Sequence, residues 1–266
     1  MSTEDVTYLT HASGPLLARL YRPAGAPKAA MVSVHGGRWV GESRLTNAII
    51  DEALAAAGVL VMAVDIRKPP VARYPEPVAD INFAIRWLKA NCDLPDARIG
   101  GMGTSSGGHQ LMLNAMRPKD PRYAALPLAG DAALAFAVLG WPVIDPLARY
   151  RYAVAGNKQP YLEAHAAYWA SSEAEMAEGN PQLILERGEP ALLPPALLLQ
   201  GTKDEALPEG MADRFAAAYD KAGGRLELVK VEGAPHTFIT KSPGSPASDE
   251  GIRRILQFVA GFTGPA

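Results

Sequence analysis

For most of its length the chain alternates continuous apolar runs with segments whose apolar residues recur at helical spacing. The runs are "AAMVSVHGG" (29–37), "VLVMAVD" (59–65), "RIGGM" (98–102), "LAFAVLGW" (134–141) and "PALLLQG" (195–201), followed by a further strand-like stretch, "LELVKV" (226–231). Between or after them lie "NAIIDEALAAAG", closed by Gly58, "PVADINFAIRWLKAN", "SGGHQLMLNAMR", "GMADRFAAAYDKAGG" and "DEGIRRILQFVAGF". In the second of these, Val78, Ile81, Ile85 and Leu88 fall on one helical face. A strand with one wet face alternates apolar and polar residues, whereas a strand covered on both faces reads as an unbroken apolar run. Strands of that kind separated by helices predict an α/β fold, with a mostly parallel central sheet and helices on both faces.

The opening departs from this pattern. Val6 to Thr10 and Leu16 to Tyr21 are short extended stretches joined by "HASGP", which predicts an antiparallel hairpin. The alternation is broken once more, between Pro142 and Pro195, where "YLEAHAAYWASSEAEMAEG" has helical spacing. That interruption is too long for a loop and too short for a domain. The 266 residues therefore predict a single domain, 1–266, with 142–195 as a small helical cap insertion over one end of the sheet.

Charge narrows the partners. Lysines and arginines are scattered among acids for a net charge of −2, so no basic stripe is present to track nucleic acid. No stretch reaches the roughly 20 apolar residues of a membrane span, and "MSTEDVTYLT" lacks the pattern of a signal peptide. Cys92 is the single cysteine, which rules out an internal disulfide and suits a reducing compartment, so a cytoplasmic location is expected. Its position suggests a small, partly buried filler at a helix end. Oligomeric state is not readable.

The stretch "IGGMGTSSGGHQLM" (99–112) places two serines among five glycines between an apolar run and a helix. Gly103, Ser105 and Gly107 match G-x-S-x-G, a turn in which glycines let backbones pass closely while the central residue exposes its hydroxyl at the carboxyl end of a sheet. Centring the motif on Ser106 would put Thr104 where a glycine is needed, so Ser105 is the candidate nucleophile. A serine hydroxyl needs a base. Of the five histidines, His236 in "EGAPHTF" follows the last strand, in the chain order Ser, acid, His used by this sheet topology. His11 and His165 read as solvated surface residues, His109 rides on the helix after the serine, and His35 reads as a structural hydrogen-bonding residue.

The third member is a carboxylate after "PALLLQG", there to hold the imidazole tautomer. Asp204 is preferred to Glu205, which reads as facing water; Asp145 is the runner-up, with helix capping as its other role. For the oxyanion, the loop "HGGRW" (35–39) offers the N–H groups of Gly37 and Arg38, joined by that of Ser106.

Taken together, "HGG", "VDIR", "GTSSGG", "GTKD" and "PHTF" resemble the α/β-hydrolase fold, and within it the esterases similar to hormone-sensitive lipase and to small carboxylesterases. The resemblance covers nearly all the chain except the insertion. It implies a Ser-Asp-His triad that hydrolyses carboxylic esters of small to medium size through an acyl-enzyme, with a small-molecule ester as the partner. No cofactor and no metal are expected. Amide, formamide or lactone hydrolysis would use the same residues, and a non-catalytic binding protein on this scaffold is a further alternative. In this fold Asp65 and Arg67 brace loops.

Arg38 stands where the family usually has a third glycine. Its side chain either recognises a polar group on the substrate or turns outward to pair with an acid such as Glu42. Trp39, Trp141 and Trp169 are the expected substrate-binding walls, with Tyr161 and Tyr168 beside them in the insertion.

Overall fold

A computed structural model of the chain describes residues 1–264. Eight strands form one sheet: β1 (Ser2–His11), β2 (Gly14–Arg22), β3 (Ala29–Val34), β4 (Val59–Val64), β5 (Ile99–Thr104), β6 (Ala137–Gly140), β7 (Ala196–Gly201) and β8 (Leu226–Val231). Their spatial order is β1-β2-β4-β3-β5-β6-β7-β8. The β1–β2 and β2–β4 pairs are antiparallel, and every pair from β4 across to β8 is parallel.

The unbroken apolar runs are explained by two cores. Ala30, Val32, Val34, Leu60, Met62 and Val64 face one core, and their neighbours Ala29, Met31, Val59, Val61 and Ala63 face the other. Side chains alternate with a period of two, so a strand packed on both sides leaves little room for polar residues; Ser33 of β3 is buried and accepts from Asn47. Helices α2 (Glu76–Asn91), α3 (Ser106–Met116) and α8 (Met211–Lys221) supply Val78, Leu111 and Phe215 to the first core. Helices α1 (Ala48–Ala56), α9 (Phe238–Lys241) and α10 (Pro246–Ala260) supply Leu54, Phe238 and Ile255 to the second. Each fully buried side chain of this kind contributes about 1.5–3 kcal/mol of transfer free energy.

The hairpin is longer than its apolar residues suggest. Arg19 pairs bidentately with Asp5 directly across the ladder, and Arg22 bonds one oxygen of Glu4 diagonally across it, which carries the strands past the apolar stretch. Strand β6 is shorter than expected. The segment between β6 and β7 contains α4 (Pro146–Ala155), α5 (Gln159–Trp169), α6 (Glu173–Glu178) and α7 (Pro181–Glu186). Three of these four helices start at a side-chain cap, with Asp145, Ser172 and Asn180 each accepting an N–H three residues on. Among the described residues no helix is long and apolar enough to cross a membrane.

Parallel strands send their carboxyl ends to one edge of the sheet. The loops after β3, β5, β6, β7 and β8 all emerge there, bringing His35–Gly37, Ser105, Trp141, Asp204 and His236 together from positions up to two hundred residues apart.

Candidate active site

Ser105 turns the chain from β5 into α3 with φ +51° and ψ −119°, a conformation that costs a non-glycine residue on the order of 1–3 kcal/mol. The flanking glycines make that turn possible. A methyl group on Gly107 would stand 2.2 Å from the His35 carbonyl oxygen, and one on Gly103 would stand 2.6 Å from that of Gly107. The turn is clamped by the Ser105 N–H donating to Gly140 (2.8 Å) and the Ser105 carbonyl accepting from Val143 (3.0 Å).

The Ser105 Oγ lies 3.0 Å from His236 Nε2, and His236 Nδ1 lies 2.7 Å from Asp204 Oδ2. An Nδ1–H donated to the carboxylate leaves Nε2 free to accept the serine proton. Asp204 is itself held on both oxygens, Oδ2 accepting from Gln200 Nε2 (2.8 Å) and Oδ1 from the Ala206 N–H (2.9 Å). Burial pushes the Asp204 carboxyl up, but hydrogen bonding to His236, their mutual attraction and the Gln200 and Ala206 donors outweigh it and hold it below the ordinary carboxylate range. The arrangement thus has a fixed anion, an oriented imidazole and a hydroxyl in line.

The other histidines are excluded by burial and by their partners. His35 donates within its own loop to the Gly36 carbonyl (2.9 Å), and burial lowers it to about 4. His109, lowered to about 4 by burial, accepts from Trp39 Nε1 through Nδ1 and donates through Nε2 to Gly179. His165 is not a surface residue: it is fully buried against Trp39, and burial lowers it to about 3. His11 bonds Asp80 (3.0 Å) instead of standing free in solvent. Glu205 is exposed, and Asp145 caps α4. Asp65 binds Arg44 and Arg67 binds Asp80, bracing neighbouring loops.

Gly36, Gly37 and Arg38 line the same cavity as Ser105, a space of about 470 Å³. The loop approaches closely enough that a methyl group on Gly36 would stand 3.1 Å from the Ser105 Cβ. Gly37, Arg38 and Trp39 all have positive φ (+94°, +56° and +66°). Among the described residues no backbone acceptor takes the N–H of Gly37, Arg38 or Ser106. The Ser106 side chain has a part that its sequence position did not reveal: its hydroxyl accepts the Trp39 N–H at 3.0 Å and pins the end of the glycine loop to the start of α3.

Of the three expected tryptophan walls, Trp141 lines the cavity and the other two do not. Trp39 is 2% exposed, stacked on Tyr168 (ring centroids 5.4 Å apart) and set edge-on to Trp169, with its Nε1–H satisfied by His109. Trp169 is fully buried against Trp39, Tyr74 and His109. These rings are core because α5 packs its aromatic face onto the loop of residues 35–39 and α3, so the interface that joins the insertion to the sheet covers them. Helical spacing showed that Tyr168 and Trp169 share a region, not what covers it. Arg38, exposed at the cavity, forms no ion pair with Glu42 or any other acid among the described residues. Arg149 of α4 and Tyr161 of α5 complete the wall, and of these sequence reading had singled out only Tyr161. Gln200, a lone polar residue at the end of an apolar strand, was a usable signal for the carboxylate's support.

Comparison with known proteins agrees with this fold. Residues 31–240 match a family described by the alpha/beta hydrolase fold. Esterase LipC of Mycobacterium tuberculosis is 28% identical over 234 residues, covering 80% of this chain and 53% of its own; ethyl acetate hydrolase of Pseudomonas putida is 26% identical, covering 95% and 80%. The chain thus spans about half the length of some curated relatives. Among solved structures, the propionate-bound esterase 2 of Thermogutta terrifontis superposes with a TM-score of 0.79 at 26% identity, over 99% of this chain and 96% of that one.

Proposed function

The chain belongs to the alpha/beta hydrolase fold family, and on that premise we propose that it is a serine hydrolase that cleaves carboxylic esters of small to medium size. The observation that carries this reading is the pair of contacts, 3.0 Å from Ser105 Oγ to His236 Nε2 and 2.7 Å from His236 Nδ1 to Asp204. The esterase names of its relatives support it.

In the first half-reaction the Ser105 Oγ attacks the ester carbonyl carbon while its proton moves to His236 Nε2. The carbonyl oxygen becomes an anion facing the N–H groups of Gly37, Arg38 and Ser106, which are aimed at charge that develops only in the transition state. Collapse breaks the C–O bond, and His236 returns the proton to the departing alcohol. In the second half, water attacks the acyl-serine, His236 takes its proton, and the acid leaves as the serine hydroxyl is restored. Asp204 stays ionised throughout and stabilises the imidazolium. The helical segment 142–195 acts as a cap that shapes substrate entry, a role supported by Arg149 and Tyr161 in the cavity wall. The cytoplasm is the compartment we assign, on the single cysteine.

The test is a fluorophosphonate probe together with an activated aryl ester. Stoichiometric labelling and a burst of phenol, both lost in Ser105→Ala, are expected. Labelling that survives Ser105→Ala, or ester turnover that does, rejects the assignment.

A further inference from the structure

Arg149 is a cation in an unusual place. It comes from α4, is 1% exposed, and lines the cavity that contains Ser105 and His236. Buried charges in proteins are ordinarily paired, because desolvation of a lone ion is costly. Among the described residues, however, no carboxylate lies within ion-pair distance of Arg149. What it has is partial: Nε donates to the Ala206 carbonyl (2.9 Å), NH1 approaches His165 Nε2 at 3.5 Å, and the guanidinium lies over the Tyr161 ring, 3.8 Å from its centroid. These contacts orient the group without neutralising it. Burial lowers Arg149 to about 10, which leaves it charged at neutral pH.

A second cation faces the same space. Arg38 lines the cavity from the glycine loop, is in no ion pair among the described residues, and its charge is felt at Arg149 as a repulsion. Asp204 attracts Arg149 through space, but no acid is in contact with it among the described residues. Asp204 already accepts from His236, Gln200 and Ala206, and Glu42 lines the cavity on the loop side, exposed to solvent.

We propose that this site takes esters carrying a free carboxylate, which docks on the Arg149 guanidinium with Arg38 reinforcing the field, and that Arg149 is the residue that determines this specificity. The proposal rests on the ester-hydrolase reading above. A planar guanidinium already fixed by Ala206 and Tyr161 offers its remaining N–H groups to a carboxylate with little further ordering.

Two matched pairs of esters test both sides of the scissile bond: the para-nitrophenyl monoester of adipic acid against para-nitrophenyl hexanoate, and para-carboxyphenyl acetate against para-carbamoylphenyl acetate. Turnover of the neutral members, abolished by Ser105→Ala, tests the hydrolase reading alone. For the proposal, the wild-type chain should favour the acidic member of at least one pair in kcat/KM, and Arg149→Met should lower that acid-to-neutral ratio by about tenfold or more. Since a buried arginine can be needed for folding, Arg149→Lys and the exposed Arg38→Ala are measured alongside. Each should lower the ratio by a smaller factor, since one keeps a point charge without the fork and the other removes only the reinforcing charge. A wild type that prefers the neutral member of both pairs overturns the proposal. So does an unchanged ratio in Arg149→Lys and Arg38→Ala together, or equal losses on both members in Arg149→Met.

Discussion

Replacing Ser106 by alanine separates the two hydroxyls of the elbow. The Ser106 side chain is fully buried and its oxygen accepts the Trp39 N–H at 3.0 Å; Trp39 is 2% exposed, so water does not replace the lost acceptor. Leaving a buried N–H unsatisfied costs about 1–3 kcal/mol. For a chain of this size each kcal/mol lowers Tm by about 2–4 °C, so a fall of several degrees is expected. The kinetic effect follows from where the strain sits. Arg38 and Trp39 both hold positive φ, a conformation that persists only while the surroundings over-determine it. Loosening the anchor displaces the Gly37 and Arg38 donors without removing the Ser106 N–H. Removing one oxyanion donor outright costs about 10²–10³ in kcat, and that is the ceiling for Ser106→Ala. Thermal melts, steady-state kinetics on a simple acetate ester and fluorophosphonate labelling check the three parts. Unchanged Tm with unchanged kcat would refute the tether. Loss of labelling would move the nucleophile to Ser106.

Ser105→Ala should lower kcat by about 10⁶ with the fold intact by circular dichroism, and His236→Ala should be nearly as damaging. Asp204→Asn should cost around 10⁴ in kcat by leaving the imidazole unoriented; near-normal turnover in that variant would take Asp204 out of the triad. Trp169→Ala and Trp141→Ala should each destabilise the chain by about 3–5 kcal/mol, because both rings are buried; Trp169→Ala should lower activity on all esters alike, whereas Trp141→Ala, at the cavity, should also change chain-length preference. Asp51 is fully buried with no ion-pair partner among the described residues, and burial, which outweighs the influence of the Ser33 hydroxyl, pushes it up to about 8. A folded-state value above the unfolded one, about 3.9, means that a destabilising contribution appears as pH rises past 4 and is complete above 8. The Tm of Asp51→Asn relative to wild type should therefore climb between pH 5 and pH 8, and a difference independent of pH would contradict the assignment.

Two kinds of information are separated in this chain. The parallel sheet was written into the runs "AAMVSV", "VLVMAV" and "ALLL", since a strand covered on both faces tolerates almost no polar residue. The tight turn at Ser105 was legible for a related reason. Backbones that approach to within 2.2–2.6 Å of where a Cβ would stand admit only glycine, so the approach leaves a mark at Gly103 and Gly107 that one sequence suffices to show. Asp204 and His236 followed from strand order, because a parallel strand delivers its next residues to the same edge every time. What the sequence could not carry is the partner on the far side of a packed face. Trp39 and Trp169 had the composition of a binding wall and became core, because α5 lies on the loop that contains Trp39. His165 had the context of a surface residue and is buried for the same reason. Arg149 carried no mark in the sequence; only the folding of the insertion over the sheet edge removed it from water and set it in the cavity with Ser105. Periodicity records how a segment divides its own faces. Which face meets solvent, core or substrate is decided by the other segments that pack against it, and those contacts join residues whose separation along the chain leaves no local pattern.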